Sequence, residues 1–292
     1  MIEIKNLYKK YDKPVLENIN LKIEDGSILG LVGINGAGKT TLLSILAGIM
    51  KEDEGEVLFD GKKVFENVGT KNDIFLLPDD PFYTRNTTPK SLVNVYKVFY
   101  DIALDDYFRY LNDFNLPLDK TMLNFSKGMR RQVFIALALA IKPKYLFLDE
   151  AFDGIDPVTR AKVKKELLRV QDETNMTVII SSHSLRELRD ICDSFCLIDH
   201  LSIKEYGELN EYLTKYHKYN MAFNERYLER NFDIDFISFR WGDKILSCVC
   251  ELDYENMKKA IEKLNPIILE EVPIDFEELF LIEVEGRRYL EK

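Results

Sequence analysis

The sequence predicts an α/β fold built around a phosphate-binding loop, followed by a smaller α+β unit. Three observations carry this prediction. The stretch Gly33-Ile-Asn-Gly-Ala-Gly-Lys-Thr-Thr41 fits G-x-x-x-x-G-K-[ST], with Gly33, Gly38, Lys39 and Thr40 at the fixed positions. It sits between a run that reads as a buried parallel strand, Ser27–Val32, and one that reads as a helix, Thr41–Ala47. A second apolar strand, Tyr145-Leu-Phe-Leu148, ends in two acids, Asp149-Glu150. At average residue frequencies the four fixed positions of the loop match by chance in roughly one chain of this size in a hundred. With the flanking strand and helix in place, a merely flexible glycine turn is rejected.

Glycines let such a loop wrap phosphates closely, presenting backbone N–H groups and the positive end of the following helix. Asn35, Gly36, Ala37, Gly38 and Thr41 are therefore expected at the phosphates with Gly33. Lys39 is placed to reach the β- and γ-phosphates, and Thr40 to give its hydroxyl to Mg²⁺.

Composition narrows the classes. The chain has 292 residues, 46% hydrophobic and 31% charged, enough for one large domain and a smaller one. A net charge of −10 disfavours sequence-independent binding to nucleic acid or to an anionic membrane. No apolar run approaches the ~18–20 residues that span a bilayer. The opening Met-Ile-Glu-Ile-Lys-Asn-Leu lacks a signal-peptide apolar region, which predicts a cytosolic protein. Cys192, Cys196, Cys248 and Cys250 lie in apolar runs at spacings poor for zinc, and read as reduced core residues.

Taken in order, residues 1–26 read as two antiparallel strands, with Ile2 and Ile4 alternating in the first and Ile19, Leu21 and Ile23 in the second. Tyr11 lies between them, either a turn aromatic or a stacking platform for adenine. Gly55–Gly61 reads as a strand closed by an Asp-Gly turn, and Ile74–Pro78 as a short strand followed by Asp79. Residues 82–114 hold nine tyrosines and phenylalanines in a helical pattern. Most are expected in the core of a small helical subdomain, with a few lining a groove for a partner's helix. Phe125-Ser-Lys-Gly-Met129 leads into a helix with Val133, Ala136, Leu137 and Ala140 on one face and Ser126 placed to cap it.

Carboxylates at the carboxyl end of a parallel strand sit beside the ligand crevice of an open α/β sheet. Asp149 is accordingly the natural partner of Mg²⁺ and Glu150 the natural orienter of an attacking water. Gly154-Ile-Asp-Pro157 turns into a charged helix, its proline suited to the first turn. Thr177–Ile180 is a further buried strand running into Ser181-Ser-His183, which puts His183 within reach of a γ-phosphate.

The order of these pieces resembles the ATP-binding subunits of ABC transporters over roughly residues 1–210. The resemblance implies the cassette architecture: an antiparallel β subdomain, a RecA-like parallel-sheet core and a helical subdomain at about 80–140. It implies ATP and Mg²⁺ as cofactors. Tyr11 matches the adenine-stacking aromatic, Gly33–Thr41 the Walker A loop, Ser126-Lys-Gly128 the signature motif, and Asp149 and Glu150 the Walker B acid and catalytic base. Gly154–Pro157 matches the D-loop and His183 the switch histidine. Three departures stand out. The signature reads Phe-Ser-Lys-Gly-Met instead of Leu-Ser-Gly-Gly-Gln; Asp79 replaces a glutamine that touches Mg²⁺ and is expected to join Thr40 and Asp149 at the metal; and Ala151 follows Glu150 where proline is usual.

In detail the chain resembles the Ytr-type branch of bacterial ABC-2-like exporters, through Pro81-Phe-Tyr83 and Val272–Phe280. This implies a second ATP-binding subunit, a copy or a related chain, with Ser126 and Gly128 acting in trans. It also implies multispanning permease subunits as the only link to a membrane, on its inner face, and no nucleic-acid partner. One alternative, a soluble ABC-type factor acting on ribosomes or DNA, usually needs two cassettes or a long coiled coil, and neither fits in 292 residues; the other, a mainly regulatory module with little hydrolysis, is kept open by Asp79 and the altered signature. From residue 217 to 292 the tail is expected to form a separate unit in β-α-β-β-α-β order, a ferredoxin-like plait without catalytic residues.

Overall fold

The computed structural model describes residues 1–183, 188–227, 232–274, 278, 279 and 282. The chain divides into two compact units, Met1–Tyr206 and Gly207–Lys292. The division precedes the expected 216/217 boundary and leaves the helix Leu209–Lys215 with the tail.

In the first unit, β1 (Ile2–Lys10) and β2 (Pro14–Ile23) pair antiparallel, with Ile2 opposite Ile23 and Ile4 opposite Leu21. Their alternating isoleucines and leucines turn one face into the core, as period-two patterning requires. β3 (Ile28–Val32) is buried throughout and feeds the loop that opens α1 (Lys39–Leu46). β4 (Glu54–Phe59) and β5 (Lys62–Lys63) complete the antiparallel sheet, in order β2-β1-β4-β5. The short α2 (Val68–Asn72) precedes β6 (Ile74–Leu77).

The helical subdomain follows. α3 (Pro89–Tyr96) starts with a reciprocal capping box: Ser91 N–H donates to the Thr88 hydroxyl at 3.1 Å, and Thr88 N–H to the Ser91 hydroxyl at 2.9 Å. α4 (Leu104–Asp113) buries Tyr107, Tyr110 and Leu111. α5 (Lys127–Ile141) is capped by Ser126, whose hydroxyl accepts from Met129 N–H at 3.1 Å, and every residue from Arg131 to Ala140 is buried. A helix buried on all sides is a core helix.

The expected aromatic core of 82–114 holds only in part. Tyr107, Tyr110 and Phe114 are buried, and Tyr96 and Tyr100 pack on Phe75 with ring centroids 5.9 and 5.6 Å away. Phe82 and Phe99 are 85% and 69% exposed. The helical pattern is interrupted: Phe82 precedes α3 and Phe99 follows it, so neither rides on a packed helix face.

β7 (Tyr145–Asp149), α6 (Pro157–Thr174), β8 (Thr177–Ser182), β9 (Ser194–Asp199) and β10 (Ser202–Glu208) finish the second sheet, in order β10-β9-β3-β8-β7-β6. β6, β7, β8, β3 and β9 are parallel neighbours, so the carboxyl ends of β7, β8 and β3 lie side by side. Among the described residues no helix is long and apolar enough to cross a membrane.

The second unit holds α7 (Leu209–Lys215), β11 (His217–Ala222), β12 (Ser238–Trp241), β13 (Ile245–Cys250), α8 (Tyr254–Ile261) and β14 (Ile268–Val272). Its antiparallel sheet runs β12-β13-β11-β14, the strand order of a ferredoxin-like plait, over a core of Tyr219, Met221, Phe223, Leu246, Cys248 and Met257. The helix expected at Glu225–Arg230 is not helical at 225–227, and its remainder lies outside the described residues. The closing helix expected at Phe276–Glu283 is described only at Glu278, Leu279 and Ile282, all helical.

All four cysteines are free. Burial pushes the Cys196 thiol up to about 12 and raises the other three as well. Only the thiolate attacks disulfide reagents. Native protein at pH 8 should therefore label slowly with a disulfide reagent, while protein in guanidinium should label fast at all four, as read by absorbance.

Candidate functional site

The loop after β3 is shaped by its glycines, Gly33 through close contact and Gly36 and Gly38 through their backbone angles. A Cβ on Gly33 would stand 2.5 Å from the Ile198 carbonyl oxygen. Gly36 and Gly38 take φ of 86° and 100°, left-handed conformations that side chains resist, and Gly38 caps α1. Lys39, in the first turn of α1, is 6% exposed. Its ammonium donates to the Gly33 carbonyl at 2.6 Å and lies 3.2 Å from Glu150 Oε1. The loop therefore curls around a single buried positive charge.

Two acids end β7, and the fold gives them different partners. Asp149, 2% exposed, accepts from the Thr40 hydroxyl at 2.7 Å through Oδ2 and from the Ser181 hydroxyl through Oδ1. Glu150 adopts φ 49°, with its N–H donating to Ser181 O at 3.2 Å. That turn sends its carboxylate toward Lys39 and His183, whose Nδ1 is 2.9 Å from Glu150 Oε2. Glu150, Asp153 and His183 bring potential metal-ligating atoms within 4.8 Å of one another, but the Lys39 ammonium beside Glu150 opposes a cation there. The oxygen-only pair of Thr40 and Asp149 fits Mg²⁺, a hard cation bound by carboxylate and hydroxyl oxygens together with phosphate.

A cleft of about 420 Å³ opens over the loop, lined by Val15, the residues from Asn35 to Thr41, Asp79 and Glu150. The other sequence-derived candidates are placed differently. Tyr11 projects from the turn between β1 and β2, 56% exposed, its hydroxyl donating to Met50 Sδ at 3.1 Å. It does not line the cleft, although Val15 of the same segment does. Ser126 is exposed and Gly128 buried at the start of α5, and neither lines the cleft. A Cβ on Gly128 would meet the Gly154 carbonyl oxygen at 2.1 Å, so the signature segment is seated directly on the turn after Glu150. Asp79 reaches the cleft, but its Oδ1 is engaged by Lys127 at 3.0 Å and by the Arg131 guanidinium.

Sequence reasoning assigned no role to Ser181 or Arg131. Position just past the apolar run Thr177–Ile180 could have marked Ser181. Arg131 carries no such signal, since it falls off the apolar spacing of Val133, Ala136, Leu137 and Ala140.

A glycine loop closed on a buried lysine, a threonine bound to the acid ending a neighbouring parallel strand, and a second acid next to it define a P-loop nucleoside triphosphatase. Residues 16–153 match the ABC transporter family. Over its full length the chain is 31% identical to the ABC transporter ATP-binding protein YtrB of Bacillus subtilis, covering 99% of each. It is 29% identical to the lipopolysaccharide export system ATP-binding protein LptB of Haemophilus influenzae, over 66% of this chain and 84% of that one. A solved ATP-binding subunit of an ABC transporter superposes with a TM-score of 0.65 at 25% identity, covering 72% of this chain and 91% of its own. A dimeric ATP-binding cassette bound to ADP and phosphate shares the fold, with a TM-score of 0.64 at 23% identity over 72% and 99%. The chain belongs to the ATP-binding subunits of the ABC transporter family, and it is a transport-coupled ATPase.

Replacing Lys39 by alanine removes the charge at the loop's centre. Mg·ATP affinity should fall by about 1.5–3 kcal/mol, the range for a hydrogen bond to a charged group, with the far-ultraviolet spectrum unchanged. Calorimetric titration checks this, and wild-type affinity in a folded variant would sink the loop's assignment.

Proposed function

We propose that two copies of this chain close head to tail on two Mg·ATP, and that hydrolysis drives a separate multispanning permease of an export system from the inner face of the membrane. The observation that carries this reading is the split of the expected site. Lys39, Thr40 and Glu150 line one cleft, with Asp149 bonded to Thr40 and His183 to Glu150, whereas Ser126 and Gly128, which the resemblance gives to the same phosphate, neither line it nor bond to a residue that does. A second copy is the simplest source of the missing half, and two-fold symmetry then completes two sites.

In this reading Tyr11 stacks on adenine, and backbone N–H groups of the loop with Lys39 hold the phosphates. Thr40 and Asp149 would hold Mg²⁺, which would supply charge neutralisation to the bound triphosphate. Glu150 orients the attacking water and accepts its proton, steered by His183. The partner's α5 N-terminus, through Ser126 and Gly128, stabilises charge developing on the far side of the γ-phosphate. Export is supported by the Ytr-type likeness in Pro81–Tyr83 and Val272–Phe280 together with similarity to the lipopolysaccharide export ATP-binding protein LptB.

Glu150→Gln keeps the size of the side chain but removes the proton acceptor. It should bind Mg·ATP and accumulate as a closed dimer. Light scattering with and without Mg·ATP should show a doubled mass that a second change, Lys39→Ala, abolishes. A nucleotide-bound variant that stays monomeric, alone and in complex with the permease, contradicts composite sites.

Every candidate site residue precedes position 184, so the tail is not needed to hold nucleotide. A chain stopped after Glu208, which keeps β10 whole, should bind Mg·ATP as the full chain does. Loss of binding by a folded truncation would make the second unit part of the site.

A further inference from the structure

Within the buried stretch of α5 one residue is charged. Arg131 is 1% exposed, and an ion so placed is costly unless its partners are close and well directed. Its guanidinium reaches in two directions. Nη2 donates to the Asp79 carboxylate at the cleft. Nη1 donates to the Asp153 carbonyl, with Asp153 Oδ2 3.9 Å away. Asp153 N–H in turn donates to the Glu150 carbonyl at 3.2 Å, closing the turn that carries Glu150. Lys127, four residues earlier on α5, meets the same Asp79 oxygen from the solvent side. Between them Gly128 sits hard against the Gly154 carbonyl. Three segments far apart in sequence thus meet at one guanidinium: Asp79, two residues after β6, the first turns of α5, and the turn after β7.

We propose that Arg131 is a positioning residue for ATP hydrolysis. It fastens the Asp79 segment and the Glu150 turn to the N-terminus of α5, so that Glu150 at one nucleotide and Ser126 and Gly128 at the other keep a fixed relation. Asp79 serves here as the counter-ion of this latch, not as a ligand of Mg²⁺. Its Oδ1 already faces two cations, and a metal ion brought to that oxygen would stand against both positive charges. The inference rests on the function proposed above, which gives Glu150 and the start of α5 their roles. Arginine suits this task because a planar fork can serve a carboxylate and a carbonyl at once, whereas the single ammonium of lysine serves them less well.

The test uses the full chain with Arg131→Gln, Arg131→Lys, Asp79→Asn and the double variant Asp79→Asn/Arg131→Gln. Melting temperature, Mg·ATP affinity, kcat and the Mg²⁺ concentration for half-maximal turnover are read for each. Arg131→Gln should lower kcat by about tenfold or more while affinity stays within about threefold, the mark of lost alignment and not of lost ground-state binding. Arg131→Lys should recover part of that loss. Asp79→Asn should lower kcat in the same direction, and the double variant should be little worse than Arg131→Gln, because both changes break one contact. The Mg²⁺ requirement should not move in any of them.

A folded Arg131→Gln protein with wild-type kcat overturns the proposal. So does Asp79→Asn raising the Mg²⁺ requirement while Arg131→Gln leaves it alone, which would return Asp79 to the metal. Fully additive losses in the double variant also overturn it. If Arg131→Gln does not fold, Asp79→Asn at its half-exposed position decides by kcat and Mg²⁺ dependence alone. Failure of the underlying function looks different, since the wild-type chain then shows no turnover, and that result overturns both.

Discussion

The carboxylate of Asp149 is the point on which the rest of the site depends. It ends β7, is almost wholly buried, and accepts one hydroxyl from Thr40 and another from Ser181. A buried ionised carboxylate is tolerated only where donors replace the lost water. The two donors come from the helix that follows β3 and from β8, and β7, β8 and β3 are consecutive neighbours in the sheet. One carboxylate therefore holds three strand ends in register, and the phosphate loop inherits its position from that bond. With Asp149 committed, Glu150 is free to turn the other way through a left-handed backbone step, and it meets Lys39 and His183. Two adjacent acids of similar chemistry are given separate tasks by one dihedral angle.

Close backbone contact is the second constraint, and it acts at two places. Gly33 lies where any side chain would strike the Ile198 carbonyl, and Gly128 where it would strike that of Gly154. The first contact sets the loop against β9. The second seats the start of α5, which carries Ser126, on the turn that follows Glu150. Such contacts transmit displacement because packed interiors have little free volume.

The second unit carries its own sheet and core. Its strand order places first and third strands at the centre, which is the arrangement that lets a split β-α-β pair enclose a hairpin strand. Its core is built from Tyr219, Phe223, Met221 and Met257 with two buried cysteines, a mixture of rings and adaptable sulfur side chains that fills an irregular space. The leading helix α7 belongs to this unit, and its Lys215 pairs at the surface with Glu251. The cleft and its lining residues all belong to the first unit.

What the sequence determined by itself was local. The strand, loop and helix around Lys39, the acids after Tyr145–Leu148 and the Ser126 cap are each decided by residues a few positions apart. Their signals, such as positive-φ glycines, apolar runs and a hydroxyl before a helix, survive without tertiary context. The strands of the second unit and α8 were legible for the same reason, because each carries its own periodicity, whereas the helix expected at Glu225–Arg230 is not helical at 225–227. The tertiary structure alone decided which distant residues meet. Ser181 finds Asp149 across 32 positions, and Arg131 finds Asp79 across 52. The exposure of Phe82 and Phe99 was likewise settled by where α3 begins and ends, not by their spacing. A side chain's charge or ring states what it needs, but only the packed chain sets which partner lies within a few ångströms of it.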